Sequence, residues 1–156
     1  MADTYTVERI ATINGPAAPI YAQIADFRKW TGWSPWDDLD PDMERTYSGA
    51  DSGTGAAYFW SGNRKAGEGR MEITEAVEPS RVRIALDFLK PFKSSSTTTF
   101  DLKPDGEATR VAWTMTGPMT LMTRVMGIFK SMDKMIGPDF EKGLERLKAV
   151  AEQPEG

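Results

Sequence analysis

An α+β fold, with one curved antiparallel sheet of about seven strands packed on a long C-terminal helix, is what this sequence predicts. Three observations carry that expectation. From Leu121 to Ala151, Met122, Val125, Phe129, Met132, Ile136, Phe140, Leu144 and Leu147 recur at steps of three and four among polar residues, the pattern of a helix with one continuous apolar face. Between Gly67 and Met115 four segments alternate apolar with polar residues and are joined by short turns, which makes neighbouring strands antiparallel. A sheet apolar on one side must be covered, and a helix reaching roughly 45 Å at about 1.5 Å per residue is the element long enough to cover it.

Taken in order, Tyr5 to Asn14 reads as the first strand, with Tyr5, Val7, Ala11 and Ile13 on one side and Glu8, Ile10 and Thr12 on the other. Arg9 falls on the apolar side, either as a strand-end cation snorkelling to water or as a charge facing the interior. Asn14-Gly15-Pro16 turns the chain into a short helix with Ile20 and Ile24 on its apolar face, and Asp26 is placed to cap a second one from Phe27 to Trp30. Trp30, Trp33 and Trp36 then crowd one stretch that Ser34-Pro35 keeps from continuing as helix. So much apolar area must be packed, as a loop pinned to the core, as the lip of a ligand cavity, or as both.

Asp38, Asp40 and Asp42 alternate like the first ligands of a calcium loop, but Met43 stands at the turn-glycine position and Gly49 where the bidentate glutamate belongs, so a solvated acidic loop is expected. Short strands follow at Met43 to Tyr47 and Ala56 to Ser61. The four strongly alternating segments come next: Gly67, Gly69, Met71 and Ile73; Val82, Ile84, Leu86 and Phe88; Thr98, Phe100 and Leu102; and Val111, Trp113 and Met115. Gly117-Pro118 ends the last of them and launches the C-terminal helical segment, about 119–152. Gly137-Pro138 interrupts the helical pattern, and a kink or break is expected near 131–138. Gly62 and Gly67 match the opening of a phosphate loop without its lysine, and Ser131-Met132-Asp133-Lys134 is an isolated serine–lysine spacing; neither carries chemistry here.

Composition narrows function by exclusion. The 156 residues, 40% hydrophobic, suit one domain over 1–156. A net charge of −4 gives no basic field for nucleic acid. No stretch is long and apolar enough for integral membrane association, and no leader pattern opens the chain, so a cytoplasmic protein is expected. With no cysteine and no histidine, thiolate and imidazole chemistry is absent, and no metal or cofactor is expected.

Strand, two short helices, six strands and a long helix form an order that resembles the helix-grip fold of the START-like (SRPBCC) superfamily. Trp33-Ser34-Pro35-Trp36, Tyr47-Ser48-Gly49, Tyr58-Phe59-Trp60-Ser61-Gly62-Asn63, Gly67-Glu68-Gly69-Arg70-Met71 and Asp139-Phe140-Glu141-Lys142-Gly143-Leu144 are similar to its bacterial polyketide cyclase/dehydrase-like branch. The resemblance spans the whole chain and implies a deep, largely apolar cavity between sheet and helix. It also implies a superfamily of lipid carriers, metabolite binders, cyclases and chaperone activators.

The expected function is therefore binding of an apolar or aromatic small molecule or a lipid, for transport or sequestration. Expected lining residues are Trp33, Trp36, Tyr58, Trp60, Met71, Ile73, Leu86, Phe88, Phe100, Trp113, Met115, Met122, Met126 and Phe129. The methionines read either as gap filler or as a deformable wall. A cyclase or dehydratase would use the same cavity with Arg9 and Tyr58 as its weak catalytic candidates, and an interaction module of the chaperone-activator type would instead fill the groove. Monomer and dimer are both compatible with the sequence.

Overall fold

The computed structural model describes residues 4–34, 42–63, 67–90, 94–118 and 132–152. Its strands are β1 (Thr4–Asn14), β2 (Glu44–Gly49), β3 (Ala56–Ser61), β4 (Glu68–Val77), β5 (Arg81–Lys90), β6 (Ser94–Asp105) and β7 (Ala108–Pro118). Helix α1 spans Ala17–Ala25, a 3-10 helix follows at Phe27–Gly32, and α2 is Met132–Glu152. The strands form one antiparallel sheet in the order β1-β7-β6-β5-β4-β3-β2. Every strand expected from alternation is present, because a period of two sends one side of each strand into the core. The β4/β5 pairing shifts register at Glu68/Gly69 and at Ile73/Glu75, and such bulges bend a sheet. The result is a concave inner face.

Two short elements close one end of that face. Pro16 sits at the N-cap of α1 with extended backbone, one position before the helix, and Ile20, Tyr21, Ile24 and Ala25 form its buried side. The Asp26 carboxylate accepts from the Arg28 N–H at 3.0 Å and starts the 3-10 helix, as its residue type suggested. Phe27 and Trp30 are buried from that turn, and Trp33 follows it into the core. The Trp30 indole N–H donates to the Ile24 carbonyl at 2.9 Å and that of Trp33 to Gln23 at 3.2 Å. Both ring donors are thus satisfied by α1, and each indole can bury its full apolar area.

Helix α2 lies along β1 and against the 3-10 helix. Phe140, Leu144 and Leu147 face inward and are buried, and the Phe140 ring stacks flat on Trp113 of β7 with centroids 4.1 Å apart and planes 7° from parallel. The helix is continuous through Pro138, whose ring is exposed, so the interruption expected near 131–138 does not take the form of a break in this stretch. The first half of the expected helical segment, with Met122, Val125, Met126 and Phe129, lies outside the described residues.

Charged side chains tie α2 to β1. Arg9 Nε donates to Glu141 at 2.8 Å while its Nη1 reaches the Glu8 carbonyl at 2.8 Å. Further along, Lys148 Nζ donates to the Thr12 carbonyl at 3.4 Å, the Asn14 N–H donates to Glu152 Oε2 at 2.8 Å, and Lys148 and Glu152 pair with each other. Glu8, Thr12 and Asn14 are all even positions, so these backbone groups point to the same edge of β1.

Candidate functional site

The inner face of the sheet divides into a sealed part and a partly open part. In the sealed part, Trp30, Trp33, Phe100 and Trp113 form one aromatic cluster. Ring centroids are 4.6 Å apart for Trp30 and Trp33, 4.7 Å for Phe100 and Trp113, and 5.6 Å for Trp33 and Trp113, with Phe140 closing the stack. Trp33, Ile73 and Phe100 are 0% exposed and Trp113 1%. Of the expected lining residues, Trp33, Ile73, Phe100 and Trp113 sit in this sealed part, and Tyr58, Trp60, Met71 and Met115 are buried as well.

The partly open part follows two rows of register across the strands. One row runs Tyr47, Tyr58, Met71, Leu86 and Ser96 from β2 to β6, and Tyr5 opposite Gly117 continues it on β1 and β7. A second row holds Arg45, Trp60, Gly69 and Phe88. Leu86, Phe88, Ser96, Tyr5 and Tyr47 are only half-buried although they occupy inward positions. Tyr58 stacks between Tyr47 at 5.2 Å and Trp60 at 5.9 Å, and Phe88 meets Trp60 edge-on at 5.6 Å. Trp36, Met122, Met126 and Phe129 lie outside the described residues.

Glycines decide how these rings lie. A Cβ at Gly69 would stand 2.4 Å from Trp60 Cη2, and one at Gly117 would stand 2.7 Å from the Tyr5 hydroxyl oxygen. Each ring therefore lies directly on bare backbone of the neighbouring strand. Tyr5 crosses Gly117 from the edge strand and brings its phenol to Ser96, one strand further in. Burial pushes the Tyr5 phenol above its ordinary value, with the Ser96 hydroxyl pulling it partly back. Ser96 Oγ is buried and has no hydrogen bond of ordinary geometry, and buried Thr98 stands two positions along the same face.

The two residues named as catalytic candidates do not come together. Arg9 is on β1 and Tyr58 on β3, five strand spacings or about 24 Å apart along the sheet. The Arg9 guanidinium lies over Gly137 of α2, where a Cβ would be 2.1 Å from Nη2, and its charge faces Glu141. Its side chain is 24% exposed, so it neither snorkels freely nor sits in the interior; it joins sheet to helix. Sequence reading passed over Tyr5 and Ser96 as site residues. Extending the β6 alternation back from Thr98 would have placed Ser96 inward, but in Ser94-Ser95-Ser96-Thr97-Thr98-Thr99 both faces carry hydroxyls and the inner face gives no contrast.

A family model described as polyketide cyclase / dehydrase and lipid transport matches residues 4–152. The chain belongs to that family. Solved structures share the fold, a curved antiparallel sheet with a C-terminal helix. A protein from Chromobacterium violaceum is 14% identical over 96% of this chain and 99% of its own, with a TM-score of 0.68. One from Mycobacterium smegmatis is 21% identical over 96% of this chain and 92% of its own, with a TM-score of 0.64. A protein of the dynemicin biosynthetic locus is 17% identical over 95% of this chain and 47% of its own, with a TM-score of 0.60. At these identities the likeness is one of fold. No curated protein matches the chain. Among the described residues no helix is long and apolar enough to cross a membrane.

Proposed function

We propose that this member of the polyketide cyclase / dehydrase and lipid transport family binds an apolar or aromatic small molecule at the partly open end of the inner face. One observation carries the reading: Leu86 and Phe88 stand at inward register positions of a central strand yet are only half-buried, while the other end of the same face is packed shut. Apolar side chains left accessible on a concave surface gain by being covered, at about 25 cal/mol per Å² of area removed from water. Met71, paired with Leu86 and under a tenth exposed, gives that floor a deformable component.

Binding is favoured over cyclase chemistry by the register itself. No inward strand position among the described residues holds a carboxylate, so proton transfer would lack its usual acid and base. The test is native mass spectrometry of gently purified protein, followed by extraction of any adduct and, for apo protein, incubation with a panel of apolar aromatics. One equivalent retained by the wild type and lost in Leu86→Trp, with unchanged circular dichroism, is expected. A wild type that retains none, or a Leu86→Trp variant that retains as much, overturns the proposal.

A further inference from the structure

An apolar floor explains affinity but not orientation, and the polar groups that could orient a ligand are few. Along the two rows of the open end, Tyr5 and Ser96 place two hydroxyls side by side at one margin, beyond Leu86. Ser96 Oγ is removed from solvent without a hydrogen bond of full geometry, the Tyr5 hydroxyl being the polar group that interacts with it, so its bonding capacity is incompletely used. Tyr5 is seated on Gly117, and that packing aims its hydroxyl at Ser96. A ligand oxygen reaching this margin could accept from both hydroxyls.

We propose that Tyr5 and Ser96 form the polar anchor of the pocket and that the ligand is an apolar molecule carrying a neutral carbonyl or phenolic oxygen. This rests on the binding reading above. The neutrality of the oxygen follows from what surrounds the pair. The cations at inward positions are engaged elsewhere, Arg9 with Glu141 and the Glu8 carbonyl, Arg45 with the Met43 carbonyl. A carboxylate buried against two hydroxyls and a wall of Leu86, Met71 and Tyr58 would lack a counter-charge, which is costly in an apolar site. Two hydroxyl donors match a single carbonyl oxygen, and because a serine can also accept, they match a phenol as well. A tyrosine phenol is protonated at neutral pH and burial raises Tyr5 further, so the donor is present under working conditions.

The experiment compares three probes of one shape by equilibrium dialysis: ethylnaphthalene, acetylnaphthalene and naphthoate, against wild type, Tyr5→Phe, Ser96→Ala and the double variant. Tyr5→Phe keeps the ring on Gly117 and Ser96→Ala removes only a hydroxyl, so the fold is retained in both. Wild type is expected to bind the ketone about tenfold tighter than the hydrocarbon, the worth of one to two hydrogen bonds. The double variant should bind ketone and hydrocarbon alike, with hydrocarbon affinity within about twofold of wild type. Equal binding of the two by wild type, or a ketone preference that survives in the double variant, overturns the anchor and leaves the pocket standing. Preference for naphthoate overturns the neutral oxygen. If none of the three binds, the pocket itself is refuted and the anchor with it.

Discussion

Replacing Gly69 by alanine tests the packing of the inner face most directly. The new Cβ would stand 2.4 and 2.5 Å from Trp60 Cη2 and Cζ2 and 2.8 Å from the Asp87 carbonyl oxygen, whereas ordinary contact begins at 3.4 Å. The indole must therefore lift by about 1 Å and the β5 backbone by about 0.6 Å. Trp60 has little room, being 8% exposed and held against Tyr58 and Phe88. Overpacking of this kind costs about 1–3 kcal/mol, against which alanine gains about 0.5–1 kcal/mol over glycine within a strand. The expected net loss is about 1–2 kcal/mol, or a fall in Tm of about 2–8 °C for a chain of this length. Urea denaturation of Gly69→Ala, Trp60→Phe and the double variant gives the coupling. A phenyl ring lacks the atoms nearest the new Cβ, so most of the penalty should vanish in the double variant, while the Asp87 contact keeps recovery incomplete. A Gly69→Ala protein as stable as wild type, or additive energies in the cycle, would mean that Trp60 does not rest on Gly69, and the geometry of the open end would have to be redrawn.

Other consequences can be measured independently. Phe140→Ala removes the ring stacked on Trp113 at a site 1% exposed and should cost about 3–5 kcal/mol in urea denaturation; a loss under 1 kcal/mol would show that α2 does not close the sealed end. Tyr5 and Tyr21 both have phenols raised above the ordinary value of 10.0, mainly by burial, with Glu78 adding to the effect at Tyr21. Their contribution to stability is full below that value and is lost as pH climbs above it towards the folded values, so Tyr5→Phe and Tyr21→Phe should each delete a late phase of the tyrosinate absorbance titration. Glu152 is shifted the other way, below 4.5, chiefly by Lys148 and then by the Asn14 N–H. Its contribution is present above 4.5 and lost as pH falls through the lower folded value; protection of the Asn14 amide, taken relative to its intrinsic exchange rate, should then fall in wild type and be reduced at every pH in Glu152→Gln.

Most of the fold is legible in the sequence because its signals are local. Alternation in Val82, Ile84, Leu86 and Phe88 needs no knowledge of a partner strand, and the cap at Asp26 is written in one residue type. The site is less legible because its geometry is made between strands. Nothing local says that Trp33 turns inward to meet Phe100 and Trp113 while Phe88 stays half open; that depends on where α1 and its 3-10 turn land on the sheet. Likewise Gly117 reads as a strand terminator before proline, and only the β1/β7 register shows it as the seat of Tyr5.

The charged ties between α2 and β1 have a further meaning for how this chain behaves in company. A strand at the rim of a sheet offers a row of backbone donors and acceptors to any second chain that approaches. Here the Glu8 and Thr12 carbonyls and the Asn14 N–H are occupied by Arg9, Lys148 and Glu152, and Ile10 between them presents an exposed apolar side chain. The last turns of α2 therefore act as a guard on the rim as well as a lid on the core. Fraying of those turns would uncover a ready template for intermolecular pairing before the hydrophobic core had opened at all.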